Sequence, residues 1–546
     1  MHRVGRRNEL RGYRVGTVAI VVVAAVLRLW ALDMGLPHPM TRPDEEMILA
    51  LTGPRGGWAE AGRAVYSPAY VSLVHAWGAA ALRVAAATGA WPHAAYADVL
   101  REHPERLLLA DRVLSALAGI AAVPLLMAVT RAALGEAAAL MAGALFATSF
   151  LHVRDSHAVK PDALLTLGVV VALGTLVPLA RRATLGQGVV AGVAIGAAMA
   201  AKYPALVLLA PAYVAGVLGS RDAGPRRLVP GAVLVAAIVA AVVFFGTSPW
   251  LLLDPAGRSA VFGLARNVFP QAFPAAAAPP RFPTDLAGLP PPRAWWGGFA
   301  YHAEFSLRYG MGVLPTILAP VAVVWGLWTR RPLPLLAAVF AVVYYATNSV
   351  SPMVLARYMT PLVPALAVLE AGLVVAVVAR VRRAGLRLVV LALVTIALVA
   401  QSLAGAVAHD RLAARTDTRV LAADWIAGHV PPGSRVAMVG TQLWSWGEPV
   451  IPPTMSLVRV KPDAAALDAA HAQYVVVHDH VLFSSHVDPD ALAALAPRLR
   501  LLATFDPFVG DRSAAVFEPL DAYYIPMHGF AAVERPGPRV RVYRFE

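Results

Sequence analysis

Two short charged clusters hold the residue types best suited to chemistry. The first is the acidic run Asp44, Glu45 and Glu46, which follows the first apolar stretch. The second, residues 152–162, lies between two later apolar stretches and contains acids, histidines and cations. Ionisable residues cost free energy inside lipid, so clusters placed where apolar stretches end indicate a functional site. A carboxylate can accept a proton from an attacking hydroxyl or amine while cations stabilise a departing phosphate, which suits group transfer from a phosphate-bearing donor.

The composition is typical of a chain embedded largely in a membrane. Of the 546 residues, 58% are apolar and 15% are charged, and the mean hydropathy is +0.62. Apolar runs of about 17–25 residues, each long enough for one bilayer crossing, recur to about residue 406. The net charge of +14 comes from arginines clustered in short connections without an aromatic stripe, so it indicates membrane orientation rather than nucleic-acid binding. The absence of cysteine excludes disulfides and thiolate chemistry.

The positive-inside rule predicts how the chain crosses the membrane. Residues 1–14 are rich in arginine, so we expect them in the cytoplasm and Asp44 on the outer face. Later basic connections alternate with outer loops if residues 66–88 form an interfacial segment inside a long first outer loop, residues 35–106. About eleven spans result, within a membrane domain of residues 15–406. Asp162 and Lys202 then also face outward, and Asp44 and Asp162 are expected to share one outer cavity.

The composition changes after Gln401, where charged and polar residues return. Residues 407–546 are predicted to form a small extracytoplasmic α/β domain, with a helix at 417–429 and strands at 435–439, 474–477 and 540–545. The predicted fold is therefore an α-helical polytopic membrane protein, GT-C-like in architecture, with a small C-terminal α/β domain. Its expected location is the inner (plasma) membrane.

Three further features of the sequence concern helix packing, nucleotide binding and a loop. Gly188, Gly192 and Gly196 recur at every fourth position of one apolar run, which predicts close approach of another helix. The phosphate-loop patterns of nucleotide-binding proteins are absent from the sequence. Residues 269–293 are rich in proline and alanine, which favours a loop.

Several motifs occur in the order found in a known family. They are Asp44-Glu45 after the first span, Arg106 with Arg112, Ser156-His157 with Pro161-Asp162, the Lys202-Tyr203 turn, and the run from Arg357 to Pro364. Together they resemble the GT-C membrane glycosyltransferases of the family 39 type, relatives of the protein O-mannosyltransferases and of the aminoarabinose transferase acting on lipid A. The resemblance covers most of residues 15–405, and looser motifs near Asp424, Pro432 and Arg535 extend it into the tail.

This resemblance implies a polyprenyl-phosphate sugar donor and inversion at the anomeric carbon. It implies Asp44 as the catalytic base, with Glu45 assisting, Asp162 shaping the same pocket, and Lys202 and Arg357 contacting the donor phosphate. The other candidate substrate-binding residues of the second cluster and its neighbours are Arg112, Arg154, His157, Lys160 and Tyr358.

The acceptor stays open among an envelope glycan, a lipid and a protein. Residues 251–308 show no β-trefoil-like insert of the kind found in protein mannosyltransferases. Residues 66–68 read Tyr-Ser-Pro where the aminoarabinose transferase uses a lysine in its long first outer loop. Both departures favour an acceptor other than those of the two named relatives.

Simpler structural roles compete with these interpretations. The acids at 44–46 and Asp162 could favour helix dipoles, and Lys202 and Arg112 could reach the interface from span ends. The alternative function is a polytopic lipid or solute transporter or flippase, although such proteins often have two related halves with charges near the midplane. A third alternative is an inactive scaffold.

No firmly bound cofactor is expected. The histidines at 478, 480 and 486 lack a recognised metal-ligand spacing. Carboxylates suit hard cations, so Asp44 and Asp162 could hold a divalent cation.

Overall fold

The computed structural model describes residues 2–53, 66–92, 94–220, 230–253, 297–351, 354–439, 445–485 and 487–546. The predicted loop at 269–293 and His486 lie outside these residues, as does one of the predicted basic connections, which contains Arg221, Arg226 and Arg227. Within the described chain there are two compact units. The helical unit comprises residues 2–29, 47–253 and 297–406, and the sheet unit comprises Trp30–Glu46 and Val407–Glu546.

The helical unit contains apolar helices of membrane-spanning length. Its helices, and those that continue from it, are α1 (His2–Leu29), α2 (Glu45–Leu51), α3 (Pro68–Ala87), α4 (Tyr96–Glu102), α5 (Pro104–Leu134), α6 (Glu136–Ala147), α7 (Phe150–Ser156), α8 (Asp162–Arg181), α9 (Leu185–Ala201), α10 (Leu209–Gly219), α11 (Gly231–Thr247), α12 (Trp250–Leu253), α13 (Gly297–Tyr301), α14 (Arg308–Met311), α15 (Val313–Trp328), α16 (Pro332–Ser349), α17 (Val363–Val378) and α18 (Ala384–Ala413). Short 3-10 turns at Tyr203–Leu208 and Ala356–Leu362 precede α10 and α17, and a π-helical turn at His302–Leu307 precedes α14.

Among the described residues, seven helices are long and apolar enough to cross a membrane, or up to nine if each of two bent helix pairs is one span. Three shorter apolar helices of 10–17 residues accompany them. The predicted helical multi-pass membrane architecture is confirmed, while the number of crossings stays a prediction. The stretch expected to be interfacial forms α3, which also meets the length and composition for a crossing.

The glycine stripe of α9 packs against α11, as predicted. A Cβ atom built at Gly192 would lie 2.6 Å from the carbonyl oxygen of Ala236, and one at Gly196 would lie 2.7 Å from that of Ala240. Small residues allow this approach because any side chain would collide with the facing backbone. The helix ends at Ala201, and the extended backbone of the next residue, Lys202, leads into the 3-10 turn containing Pro204.

The sheet unit is built on five strands, β1 (Arg435–Val439), β2 (Ser456–Val460), β3 (Tyr474–Asp479), β4 (Leu499–Phe505) and β5 (Arg539–Phe545), with helices α19 (Thr418–His429), α20 (Ala464–Ala469) and α21 (Pro489–Leu495). The strand order is β2-β1-β3-β5-β4. β1 pairs in parallel with β2 and β3, and β5 pairs antiparallel with β3 and β4. The small α/β domain is thus confirmed. Sequence patterns predicted β1, β3 and β5 but missed the two edge strands, which are largely exposed and lack a buried apolar run.

Residues 30–46 fold as part of the sheet unit. Ala31 and Met34 belong to an apolar cluster that also contains Leu412, Tyr523 and Tyr524. The first acidic cluster therefore lies on a segment that is anchored within the same unit as the β-sheet.

Candidate functional site

Asp44 occupies an uncommon backbone conformation. Its φ is +81°, a region that residues other than glycine adopt rarely and at a cost of about 1–3 kcal/mol. Asp44 lies within a turn that is closed by a hydrogen bond from the Glu45 amide to the Arg42 carbonyl oxygen at 3.3 Å, and α2 begins at Glu45. Such strain persists where surrounding contacts determine the conformation, and it is common at functional sites.

The residues on either side of Asp44 are buried and make side-chain contacts. Glu45 is fully buried and accepts a hydrogen bond from the Thr41 hydroxyl at 3.0 Å. Arg42 is also fully buried, 3.8 Å from the Asp521 carboxylate and 4.5 Å from the centre of the Tyr523 ring. Asp44 remains partly exposed, so among the two predicted catalytic acids of this segment it is the one more open to a reactant.

The third acid of the run contacts the β-sheet portion of its unit. The indole N–H of Trp446 donates to Glu46 Oε1 at 2.6 Å. Burial raises the pKa of Glu46, the Trp446 hydrogen bond partly offsets this, and the neighbouring acids Asp44 and Glu45 raise the pKa further. This residue was not among the predicted catalytic acids.

An arginine joins the same segment to the helix that opens the tail. Arg419 donates to both carboxylate oxygens of Asp417, at 2.9 and 2.7 Å. Its Nη1 donates to the carbonyl oxygens of Met40, at 2.8 Å, and of Trp446, at 2.5 Å. Burial opposes ionisation of Asp417, but the charge and hydrogen bonds of Arg419 outweigh it and hold the pKa of Asp417 below its usual value. The ion pair therefore fixes the guanidinium against two backbone segments.

The second charged cluster lies in the helical unit, on a short buried helix. α7 follows α6 after a bend of 56°, and all seven of its residues are buried. Its first amide, that of Phe150, donates to the Ser402 hydroxyl at 2.8 Å. At its other end the ring of His157 lies 2.8 Å from the Val153 carbonyl oxygen, through Nδ1. This arrangement satisfies polar groups that a short helix inside an apolar surrounding leaves open.

Asp155 connects α7 to the turn that carries Arg357 and Tyr358. The hydroxyl of Thr360 donates to Asp155 Oδ2 at 2.6 Å. Arg154 lies 3.8 Å from the other oxygen of the same carboxylate. Both side chains of this ion pair are buried, so the contact is shielded from solvent and strengthens accordingly.

Asp162 and Lys202 form a direct ion pair. Their Oδ1 and Nζ atoms are 2.7 Å apart, with the Asp162 side chain 2% exposed and the Lys202 side chain 21% exposed. Asp162 is the first residue of α8 and Lys202 follows the last residue of α9, so the two helix ends bring the charges together. Lys202 Nζ also lies 5.3 Å from the centre of the Tyr358 ring, and the Arg357 guanidinium carbon lies 6.0 Å from it. We call Asp162, Lys202, Arg357 and Tyr358 the Lys202 cluster.

The remaining predicted substrate-binding residues are buried in the helical unit. Lys160 and His157 are each 1% exposed, and Arg112, on α5, is fully buried. Four cationic side chains at Arg112, Arg154, Lys160 and Lys202 therefore lie in one helical unit, and three of them are essentially inaccessible to bulk water. Buried charges of this kind in a membrane protein mark substrate or ion sites.

Sequence reasoning did not single out several residues that shape these sites. Thr360 lies within the predicted run from Arg357 to Pro364, but no role was predicted for it. Arg419 and Trp446 act through contacts with partners that are distant in sequence, so no local pattern indicates them. In the sheet unit, Asp479 accepts hydrogen bonds from Arg539 and Arg541, with N–O distances of 2.6 and 2.9 Å. Its carboxylate is thus engaged in an ion-pair network of the sheet.

A family model described as dolichyl-phosphate-mannose-protein mannosyltransferase matches residues 106–251. This range contains the second charged cluster, α8, α9 and Lys202. A comparison with curated proteins finds no match.

Solved structures resemble the chain over much of its length. ArnT from Cupriavidus metallidurans, bound to undecaprenyl phosphate, is 16% identical, covers 97% of this chain and 98% of its own, and has a TM-score of 0.49. The archaeal oligosaccharyltransferase AglB from Archaeoglobus fulgidus, in complex with an inhibitory peptide and a dolichol-phosphate, is 13% identical over 86% of this chain and 70% of its own, with a TM-score of 0.47. The S. cerevisiae protein O-mannosyltransferase Pmt1-Pmt2 complex, bound to the sugar donor, is 18% identical over 46% of this chain and 34% of its own, with a TM-score of 0.30.

The family match confirms two predictions made from the motifs. The resemblance to the GT-C membrane glycosyltransferases is confirmed, because the matched residues are those that carry most of it. The prediction of glycosyltransferase activity is confirmed with it.

Proposed function

We propose that the protein transfers a sugar from a polyprenyl-phosphate donor to an acceptor of the cell envelope, at the outer face of the inner (plasma) membrane. The observation that carries the proposal is the group of buried cations within the range matched by the family model, Arg112, Arg154, Lys160 and the partly exposed Lys202. Cations held inside an apolar surrounding suit an anionic headgroup whose lipid tail remains in the bilayer. A polyprenyl phosphate combines these two properties.

The Lys202 cluster is the proposed donor-phosphate site. Lys202 is partly exposed and already close to a carboxylate and an aromatic ring, so its ammonium group is oriented before substrate arrives. Arg357 lies beside the same ring and adds a second positive charge. As the glycosidic C–O bond breaks, negative charge grows on the departing phosphate, and preorganised cations stabilise that charge. His157, Lys160, Arg154 and Arg112 are proposed to complete the anion-binding surroundings.

Asp44 is the proposed base. Its carboxylate takes the proton of the acceptor hydroxyl or amine, the freed electron pair attacks the anomeric carbon, and polyprenyl phosphate leaves with the electrons of the broken C–O bond. Attack opposite the leaving group inverts the anomeric configuration. The partial exposure of Asp44 and the full burial of Glu45 support a division in which Asp44 meets the acceptor and Glu45 stabilises the turn through Thr41.

Substitution of Asp44 by Asn tests the proposal. Asparagine tolerates positive φ, so the turn should survive while the proton acceptor is lost. Purified protein in lipid, supplied with radiolabelled polyprenyl-phosphate sugars and envelope extract, should lose turnover by about 10²- to 10⁴-fold, the usual contribution of a general base. Binding of radiolabelled polyprenyl phosphate should change little.

Asp33→Asn is the matched control, because Asp33 is an exposed acid on the same segment. It should retain wild-type turnover. Undiminished transfer by the Asp44→Asn variant would show that Asp44 is not the base, and movement of labelled lipid without any sugar transfer would favour a flippase. The same assay with a chelator tests whether a divalent cation held by carboxylates contributes to the rate.

A further inference from the structure

The segment that carries Asp44 is fixed at points on both sides of that residue. Before it, the Met40 carbonyl accepts from Arg419 and the Arg42 side chain lies against Asp521 and Tyr523. After it, Glu46 accepts from Trp446 at 2.6 Å. Asp44 itself has a φ of +81°, which departs from common backbone geometry. A strained residue between anchored neighbours keeps its conformation as long as the anchors hold.

The anchors meet at a single guanidinium group. Arg419 Nη1 donates to the carbonyl oxygens of both Met40 and Trp446. Arg419 therefore holds the segment before Asp44 directly, and it also holds the backbone of Trp446, whose side chain binds the segment after Asp44. The bidentate pair with Asp417 orients the guanidinium plane. The hydrogen bond from Arg419 to its backbone thereby fixes the position of Trp446 relative to Glu46.

His38 supplies a further fixed point on the same segment. Its Nδ1 accepts from the Met40 amide at 3.1 Å, and its Nε2 lies 2.8 Å from the Glu448 carbonyl oxygen. The first contact makes Nε2 the protonated nitrogen, which donates to Glu448. Burial, with a contribution from Arg419, lowers the pKa of His38 to about 4. The neutral ring therefore ties the segment to the short stretch that also contains Trp446.

We propose that Trp446, held by Arg419, is a positioning residue that orients Asp44 through its hydrogen bond to Glu46. This inference rests on the proposed role of Asp44 as base. In it the sheet unit is part of the catalytic apparatus, because it determines the direction in which the base points. Glu46 is the intermediary, two residues from Asp44 in the first turn of α2.

Trp446→Phe removes the N–H donor and keeps an aromatic ring. We expect kcat to fall about 10- to 100-fold, because small displacements of a reacting group reduce rates by factors of this size. The KM for the polyprenyl-phosphate sugar should stay within about twofold, since the variant leaves the Lys202 cluster unchanged. Trp425→Phe is the matched control. Trp425 belongs to the same unit, where its ring stacks on His429 at 4.5 Å, and its variant should keep wild-type kcat.

A double-mutant cycle separates positioning from general stability. Glu46→Ala removes the acceptor of the same hydrogen bond, so Glu46→Ala and Trp446→Phe together should be no worse than the more severe single variant. Effects on kcat that multiply instead would overturn the inference. Hydrogen–deuterium exchange gives a readout independent of activity. The backbone amides of residues 40–46, apart from Pro43, should exchange faster in Trp446→Phe than in Trp425→Phe.

The outcomes distinguish this inference from the proposed function. If Asp44→Asn is inactive while Trp446→Phe turns over as fast as Trp425→Phe, positioning by Trp446 is refuted and the function stands. If the wild-type protein transfers no sugar from any polyprenyl-phosphate donor, the function fails. In that case, unchanged exchange at 40–46 in Trp446→Phe also refutes the anchoring.

Discussion

Replacing Lys202 by Met tests the donor-phosphate site most directly. Methionine has an unbranched side chain of about the same length as the aliphatic part of lysine. The substitution therefore removes mainly the ammonium group, which lies 2.7 Å from Asp162. A hydrogen bond to a charged group contributes about 1.5–3 kcal/mol. Lys202 is 21% exposed, so solvent screens part of its interaction with the donor phosphate. We therefore expect the loss of this interaction to cost about 2 kcal/mol, equivalent to a roughly thirtyfold weaker affinity for polyprenyl phosphate.

The assay is equilibrium binding of radiolabelled polyprenyl phosphate to protein in lipid nanodiscs. It needs no knowledge of the sugar or the acceptor, because the proposed leaving product is itself the ligand. Lys461→Met is the matched control. Lys461 is an exposed lysine of the sheet unit, outside the Lys202 cluster, and its loss should leave the affinity unchanged.

The double variant Lys202→Met with Asp162→Asn decides between two explanations of weaker binding. If Lys202 only neutralises Asp162, its loss exposes the phosphate to a repelling carboxylate, and removal of that carboxylate should restore affinity. If Lys202 contacts the phosphate, the double variant should stay about thirtyfold weak. Restored affinity in the double variant, or unchanged affinity in Lys202→Met, would refute the proposed contact.

Two predictions concern stability. Gly192→Ala should lower the free energy of unfolding by about 1–3 kcal/mol, because its Cβ would lie 2.6 Å from the Ala236 carbonyl oxygen. In the control Gly186→Ala, on the same helix, the new Cβ meets nothing within 4 Å. Thermal unfolding should show this control to be neutral or slightly stabilising. A result in which both variants unfold alike would contradict the close α9–α11 contact. The sheet unit should also lose stability on acidification, because the pKa of His38 is lowered from 6.5 to about 4 in the folded protein. As the pH falls, His38 of the unfolded chain therefore binds a proton first. The stability that neutral His38 contributes above pH 6.5 should decline by up to about 3 kcal/mol as the pH falls to 4. His38→Gln should flatten that decline in denaturant unfolding measured at each pH, and an equally steep decline in the variant would exclude His38 as its source.

Properties that depend on local pattern were predictable from the sequence. Apolar runs of span length specify membrane helices because each must satisfy its backbone polar groups internally. The stripe at Gly188, Gly192 and Gly196 predicted close helix packing because spacing of four places the glycines on one face. The strands β1 and β3 were recognisable because a strand that is buried on both faces appears in the sequence as a short, continuous apolar run.

Tertiary structure alone decided what holds the candidate catalytic residues. Glu46 and Trp446 are 400 positions apart, and Asp155 and Thr360 are 205 positions apart. No periodicity relates such residues, because their contact depends on how whole elements pack. The acidic run could be read as a site from its composition and its place after a span. Its anchoring in the sheet unit, and the strained backbone of Asp44, follow only from long-range hydrogen bonds that the folded chain creates.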